Sequence, residues 1–102
     1  MVNYKFVSVE ELEERNNGNF CIAVECLEYD EDESKLKVKD LISEKSIELS
    51  SIFKANPGEI LWIFLRKENG EYAIDFLKKI STPKELFKRF LKIYYKWGRK
   101  YV

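Results

Sequence analysis

The stretch from Gly58 to Ile80 constrains the fold of this chain more than any other, because it has the pattern of a β-hairpin. An apolar run at residues 60–65 is followed by Asn69-Gly70 and then by an alternating segment at residues 72–77. Asn and Gly both tolerate the positive φ angles that tight turns between antiparallel strands require. The sequence therefore predicts two paired strands joined at Asn69-Gly70.

Upstream of this hairpin, the chain predicts a strand, a short helix and a second hairpin. Residues 3–7 alternate as a short strand, and Ser8 with Glu11 forms a capping box for a helix from about Val9 to Arg15. Strand spacing follows over residues 20–27 and again over residues 35–42, where one side is apolar and the other carries lysines. The chain is therefore expected to be an α+β protein.

An internal resemblance suggests that this arrangement occurs twice. A shift of about forty residues superimposes the strand, helix-entry and hairpin patterns, and it also aligns Asn16-x-Gly18 with Asn56-x-Gly58. We therefore predict one domain, residues 1–102, built from two tandem divergent strand–short helix–β-hairpin repeats at about 3–43 and 44–81. A C-terminal amphipathic helix, at about 82–98, completes it.

The C-terminal helix begins with Thr82-Pro83 and Glu85, which suit an N-cap, the first helical position and the capping box. Its broad apolar side is expected to be buried against the second hairpin, covering Leu61, Ile63 and Leu65. That side contains Leu86, Phe87, Phe90, Leu91, Ile93, Tyr94 and Trp97. The opposite side gathers Lys84, Lys88, Arg89, Lys92 and Lys96.

A second interpretation of the same residues is an OB-like barrel plus the C-terminal helix. Its strands would be residues 20–29, 35–41, 44–49, 60–66 and 72–77. OB folds carry no fixed motif, and they bind single strands of nucleic acid or oligosaccharides. The acidic tract at residues 30–33 and the pI near 6.4 argue against a groove that follows a phosphate backbone.

The residue types that are missing exclude several classes of enzyme. The chain has no histidine, which removes Ser-His and Cys-His nucleophile pairs and imidazole metal ligands. No nucleotide-binding glycine loop or hydrolase elbow occurs. The acidic tract does not match an EF-hand loop, and Cys21 and Cys26 are interpreted as two small buried hydrophobic residues. We predict no catalytic residue, no metal and no cofactor.

The charge is balanced overall but unevenly placed along the chain. Acids dominate residues 1–48, whereas bases dominate residues 78–102, where Glu85 is the one acid. No stretch approaches the roughly 20 apolar residues that a membrane span requires, and residues 1–5 lack the features of a signal peptide. A soluble, intracellular protein without a membrane span is expected.

The whole composition, rich in Lys, Glu, Tyr and Ile and without His or Gln, is typical of hyperthermophiles. Together with the segment Tyr94-Tyr95-Lys96-Trp97, it resembles the small orphan proteins of filamentous viruses of hyperthermophilic archaea, such as Acidianus filamentous virus. The resemblance covers the character of the chain and carries no motif, so it transfers no functional residue. It implies a location in the host cytoplasm, and binding rather than catalysis.

These observations predict a non-enzymatic protein–protein interaction module of viral origin, which binds a viral or host protein or peptide in a groove between the two repeats. Free strand edges or a cleft at the junction would accept an extended segment. The candidate binding residues there are Trp62, Phe64 and Arg66. The alternative is nucleic-acid binding through the basic, aromatic C-terminal segment, with Lys92, Tyr95, Lys96 and Trp97 as the contacts.

Overall fold

A computed structural model describes residues 3–97, with side chains described as far as Tyr95. The side chains of Lys96 and Trp97, two of the predicted binding residues, lie outside that part. The elements are β1 (Lys5–Phe6), α1 (Val9–Glu14), β2 (Gly18–Asp30), β3 (Lys35–Asp40), β4 (Ser46–Ser50), β5 (Ile60–Glu68), β6 (Glu71–Ile80) and α2 (Lys84–Trp97). The expected α+β class with a C-terminal helix is confirmed.

The six strands form one sheet with the order β4-β3-β2-β5-β6, in which all these neighbours are antiparallel. The short strand β1 pairs in parallel with β2. The strand β2 serves both halves of the sheet, since its start pairs with β5 and its end pairs with β3. The strands at the two ends of this order, β4 and β6, contact each other. The sheet is therefore curled into a partly closed shape.

The hairpin turn predicted at Asn69-Gly70 is confirmed. Asn69 has φ of 51° and Gly70 has φ of 81°, so both occupy the left-handed region that a tight hairpin turn needs. The strands β5 and β6 pair from Ile60↔Ile80 to Glu68↔Glu71, with a bulge where β5 passes from Phe64 to Leu65. This bulge places Asp75 of β6 outside the regular register.

The inner side of the curled sheet encloses the main core, which we call the interior core. It includes Leu61, Ile63 and Leu65, which were expected to lie beneath the C-terminal helix. That expectation is wrong, because the curl of the sheet turns these three side chains inward and turns Ile60 and Trp62 toward the helix. The other buried members are Val7, Val9, Leu12, Phe20, Ile22, Val24, Cys26, Leu36, Val38, Leu49 and Ala55.

A second, smaller core lies between the outer side of the sheet and α2. It consists of Phe6, Ala23, Leu41, Ile60, Phe87 and Leu91. Only part of the apolar side of α2 enters this core, because Leu86, Phe90 and Ile93 remain exposed. The expectation that the whole apolar side would be buried is therefore wrong, since a sheet covers a narrower arc of a helix than these residues occupy.

Helix α1 is fixed at both ends by hydrogen bonds to side chains, one from its N-cap and two from distant parts of the chain. At its start, Ser8 accepts a hydrogen bond from the Glu11 amide at 3.1 Å, and the buried Asp40 Oδ2 accepts one from the Val9 amide at 3.1 Å. At its end, the Lys67 ammonium donates to the Leu12 carbonyl oxygen at 2.9 Å. As predicted, Val9 and Leu12 form its buried side.

The predicted tandem repeat is not confirmed. The segment between β4 and β5 contains no helix that would correspond to α1. Moreover, β1 pairs in parallel with β2 of its own unit, whereas β4 pairs antiparallel with β3 of the other. The expected groove between the units is replaced by a strand ladder, because β2 and β5 pair directly from Gly18↔Lys67 to Glu25↔Ile60.

Candidate interaction surface

The most prominent apolar feature on the described surface is a line of three side chains along α2. Leu86, Phe90 and Ile93 are 57%, 53% and 62% exposed, respectively. They stand at spacings of four and three residues, so they follow one side of the helix for about two turns. We call these three residues the α2 stripe. Thr82, Phe87 and Arg89 join them to line a shallow, mostly apolar depression.

The stripe is open because polar contacts anchor the opposite side of the helix. The Lys84 ammonium lies 2.7 Å from Glu25, the Lys88 ammonium lies 3.6 Å from Glu44, and the Tyr95 hydroxyl donates to Glu11 at 2.6 Å. At about 100° per residue, these three anchors share one side of α2 and the stripe occupies the side diametrically opposite. The acids belong to β2, the segment after β3, and α1. The stripe therefore points toward the β6 side of the sheet.

Aromatic side chains continue from beneath α2 onto this open side. Trp62 makes edge contacts with Phe6 and Phe87, at centroid distances of 5.2 and 5.6 Å. Two residues along β5 and on the same side, Phe64 stacks on Phe76 at 4.4 Å. Phe76 is 42% exposed, so the aromatic surface is not fully covered by the helix.

Next to these rings, one carboxylate organises a small polar network. Asp75 accepts hydrogen bonds from the Tyr4 hydroxyl at 2.6 Å and from the Arg66 guanidinium at 2.8 Å. Burial opposes its ionised form, but these two donors outweigh that effect and hold the pKa of Asp75 below its usual value. The hydrogen bond to Asp75 in turn raises the pKa of Tyr4. Arg66, named as a binding residue, is thus engaged within the fold.

Three unpaired cations lie on α2 and on the outer side of β6. Arg89 and Lys92 are exposed on α2, and Lys78 is exposed on β6 opposite Trp62. Among the described residues, none of these three side chains has a hydrogen bond or an ion pair with the rest of the chain. These three cations outnumber Glu85, the one acid of α2, although the net charge of the chain is zero.

The other predicted binding residues lie in different environments in the structure. Trp62 is half-buried and Phe64 is only 8% exposed, so both rings belong mainly to packing. Lys92 is exposed on the solvent side of α2, whereas Tyr95 is half-buried and its hydroxyl donates a hydrogen bond that anchors α2. Lys92 is thus the one predicted residue with a described side chain that lies open on this surface. Their roles in binding stay predictions.

The stripe itself was not predicted from the sequence, because Leu86, Phe90 and Ile93 were expected to be buried against the second hairpin. The signal that could have revealed them is the width of the apolar side of α2, which extends over nearly half of the helix surface. A single sheet covers a narrower arc. One edge of so broad an apolar side has to remain open or meet another molecule.

Elsewhere, the titratable groups of the described residues show structural roles. Asp30 accepts hydrogen bonds from the Asp32 and Glu33 amides, which shapes the acidic turn, and Glu31 pairs with Lys54. Cys21 and Cys26 are buried as predicted, and burial raises the pKa of the Cys21 thiol.

Within residues 3–97, no group of three His, Cys, Asp or Glu side chains could hold a metal ion. No helix in the same range is both long and apolar enough to cross a bilayer.

Comparison with known protein families finds no model that matches this chain, and no curated protein matches it either.

Proposed function

We propose that this chain is a non-enzymatic interaction module that binds a segment of a partner protein along the α2 stripe. The single observation that carries the proposal is the stripe: three large apolar side chains, each more than half exposed, on a helix whose other side is packed. A contiguous apolar patch with a charged rim is typical of a protein-binding site. A helix that offers anchors about one turn apart suits recognition of a second peptide segment.

Several contacts outside the stripe hold α2 on the sheet, which supports a role of the stripe in binding. Phe87 and Leu91 fill the core beneath the helix, and Lys84, Lys88 and Tyr95 anchor its other side. Full burial of one large apolar side chain stabilises a complex by about 1.5–3 kcal/mol. Covering the exposed half of three such side chains would therefore supply a substantial part of a binding free energy.

The scaffold that presents the stripe is, in our proposal, an OB-like barrel rather than a pair of repeats. The strand order β4-β3-β2-β5-β6 and the contact between β4 and β6 support this description. The five strands also agree closely with the strands predicted for an OB-like chain. The first strand of the barrel would be β2, which bends between its two partners.

The surface that OB folds commonly use for nucleic acid has unsuitable charges in this chain. It would lie on β3 and β4, together with the turn at residues 31–34. The lysines of β3 stand opposite acids of β2 in the pairs Lys39–Glu25, Lys37–Glu28 and Lys35–Asp30. The turn itself is acidic. This arrangement favours a protein partner over a phosphate backbone.

The biological setting is proposed on the resemblance in composition alone. In that setting the chain is viral, acts in the host cytoplasm and binds a viral or host protein. The interaction proposed for the stripe does not depend on this setting, since it rests on exposure and packing.

Site-specific photocrosslinking tests the proposed function. A photoreactive phenylalanine analogue is placed at position 90, and a matched control is placed at Ile52, which is 84% exposed and follows the end of β4 that pairs with Lys35. In cells that naturally make the chain, we expect position 90 to crosslink to a defined protein. We expect position 52 not to crosslink to that protein.

The crosslinked protein is then purified and titrated against the wild-type chain, Phe90→Ser and Ile52→Ser. We expect Phe90→Ser to weaken binding about tenfold or more and Ile52→Ser to leave it unchanged. Equal crosslinking at both positions, or equal affinities for the three proteins, would reject the proposal. Crosslinks from position 90 to nucleic acid would instead favour the alternative function.

A further inference from the structure

We infer that the segment recognised by the α2 stripe is an acidic amphipathic helix. This inference rests on the proposed function and adds the chemistry of the partner. It follows from three properties of the surface: the charges on its rims, the spacing of its anchors, and the backbone groups available on it.

Cations outnumber acids around the rims of the stripe. Arg89 and Lys92 lie on the solvent side of α2, and Lys78 lies on the outer side of β6 in the alternating position next to Phe76. Among the described residues, all three cations lack an ion-pair partner, whereas Lys84 and Lys88 are paired with Glu25 and Glu44. Glu85, the one acid of α2, is exposed one turn before Arg89 on the same side of the helix, so it offsets part of this charge. A partner with carboxylates on both sides of an apolar line would neutralise these rims.

The spacing of the anchors matches a helix. Leu86, Phe90 and Ile93 span about 10 Å along α2 at 1.5 Å per residue. A second helix with apolar residues at the same spacing can pack its ridge against this line. An extended partner would need unpaired backbone donors and acceptors to add a strand. The stripe provides none, because it is made of side chains on a helix whose backbone groups bond within it.

A second copy of this chain does not supply a suitable partner. Contact between two α2 helices would bring Arg89 and Lys92 of one copy close to the same cations of the other, which is unfavourable. The acidic helix α1 has only six residues, and its apolar residues Val9 and Leu12 are fully buried in the interior core. The required partner is therefore a different protein.

Three synthetic peptides of about 18 residues, long enough for a helix in a complex, test this inference. The first places Leu and Phe at helical spacing with Glu on both sides, the second replaces each Glu by Lys, and the third scrambles the acidic sequence. Each is titrated, by fluorescence anisotropy, against the complete wild-type chain, Phe90→Ala, the double variant Arg89→Glu/Lys92→Glu and the control Ile52→Ala. All these positions are exposed, so the variants are expected to keep the fold.

We expect the acidic amphipathic peptide to bind about tenfold or more tightly than the other two. Phe90→Ala should weaken it about tenfold, Ile52→Ala should not change it, and Arg89→Glu/Lys92→Glu should reverse the preference toward the lysine peptide. Absence of binding by all three peptides, preference for the lysine peptide, or equal binding of the acidic and scrambled peptides would overturn the inference. Binding that is insensitive to Phe90→Ala would also overturn it.

Two further probes separate other acidic ligands from an acidic helix. The first probe is a vesicle of phosphatidylglycerol and phosphatidylcholine. The second is a single-stranded DNA of about 30 nucleotides, which is longer than one binding site of typical size. If either binds more tightly than the acidic peptide and loses binding in Arg89→Glu/Lys92→Glu, the acidic-helix inference fails. The proposed function is judged separately by the crosslinking at position 90, which does not assume the chemistry of the partner.

Discussion

Lys67 shows how a single residue joins elements that are far apart in the sequence. Its side chain is buried, although it is charged and lies on a strand. The ammonium donates to the Leu12 and Glu13 carbonyl oxygens at 2.9 and 3.2 Å, at the end of α1, and lies 5.5 Å from the centre of the Tyr72 ring. A cation is favourable at this end of a helix, because the carbonyl groups there carry partial negative charge. Lys67 thus replaces the missing hydrogen-bond donors beyond α1.

The substitution Lys67→Met should therefore destabilise the fold. Methionine keeps most of the volume but removes the ammonium, so the Leu12 carbonyl keeps only its hydrogen bond from the Arg15 amide and the Glu13 carbonyl loses the bond from Lys67. We expect a loss of about 1–3 kcal/mol in the free energy of unfolding, measured by chemical denaturation. The matched control is Lys37→Met, an exposed lysine on β3, which should change stability by less than about 0.5 kcal/mol. Similar losses in both variants would contradict this role of Lys67.

Asp75 offers a prediction about pH at the same scale. Its pKa is lowered in the fold although burial opposes ionisation, because Tyr4 and Arg66 donate hydrogen bonds to the carboxylate. A lowered folded pKa stabilises the protein above the usual value of 3.8, and this stabilisation is lost as the pH falls through the lowered value. Tyr4→Phe removes one donor, so it should cost about 1 kcal/mol or less near neutral pH.

The decisive measurement is the difference in unfolding free energy between wild type and Tyr4→Phe as a function of pH. We expect the difference to be present near neutral pH and to shrink as Asp75 becomes protonated. Tyr29→Phe is the matched control, because the Tyr29 hydroxyl donates to the Ser51 carbonyl oxygen, which does not titrate. A Tyr4→Phe difference that is as independent of pH as that of Tyr29→Phe would show that Asp75 is not the cause.

At the scale of elements, one part of the apolar side of α2 packs on the sheet and another part is exposed. Phe87 is 6% exposed and contacts Trp62 in the second core, whereas Phe90, three residues later, is 53% exposed. The same residue type on the same helix thus provides its own control. Packing should depend on the first ring, and binding should depend on the second.

We expect Phe87→Ala to destabilise the protein by about 3–4 kcal/mol, because it leaves a cavity beneath α2. Phe90→Ala should cost less than about 1 kcal/mol, because the ring is already more than half in water. Thermal or chemical unfolding of the two variants measures the difference directly. Comparable losses would mean that Phe90 is part of the packing and that the stripe is not a free surface.

How well the elements could be predicted depends on how local their signals are. Ser8 marks the start of α1, and Asn69-Gly70 forms the predicted hairpin turn, because caps and turns depend on neighbouring residues. The pairing of β2 with β5 joins distant segments, and no local pattern specifies it. For that reason the sequence suggested two units with a groove, and it placed Leu61 on the wrong side of the sheet.

The candidate surface was only partly predictable for the same physical reason. The basic character around Lys92 is visible in the sequence, and the side chain is indeed exposed. Whether Phe87 or Phe90 would be buried depends on how α2 is rotated about its axis. That rotation is set by contacts with Glu11, Glu25 and Glu44, which come from three different parts of the chain. Helical periodicity alone cannot supply it.

At the scale of the whole molecule, the basic C-terminal part of the chain forms ion pairs with the acidic first half. The basic helix α2 reaches acids of the first half through Lys84–Glu25 and Lys88–Glu44, at 2.7 and 3.6 Å. Each pair is partly exposed to solvent, so each contributes little to the free energy of unfolding. Their contribution should decrease with ionic strength, because salt screens exposed charges.

We therefore expect the free energy of unfolding to fall slightly between roughly 0.02 and 1 M of a weakly interacting salt such as sodium chloride. In the double variant Lys84→Ala/Lys88→Ala, the decrease should be smaller, because the paired cations are gone. The control Lys78→Ala/Lys92→Ala removes the same number of positive charges from unpaired positions, so it should respond to salt as wild type does. Denaturation curves at several salt concentrations measure all three proteins. If the two double variants respond alike, net charge and not the pairing of α2 with the first half explains the salt dependence.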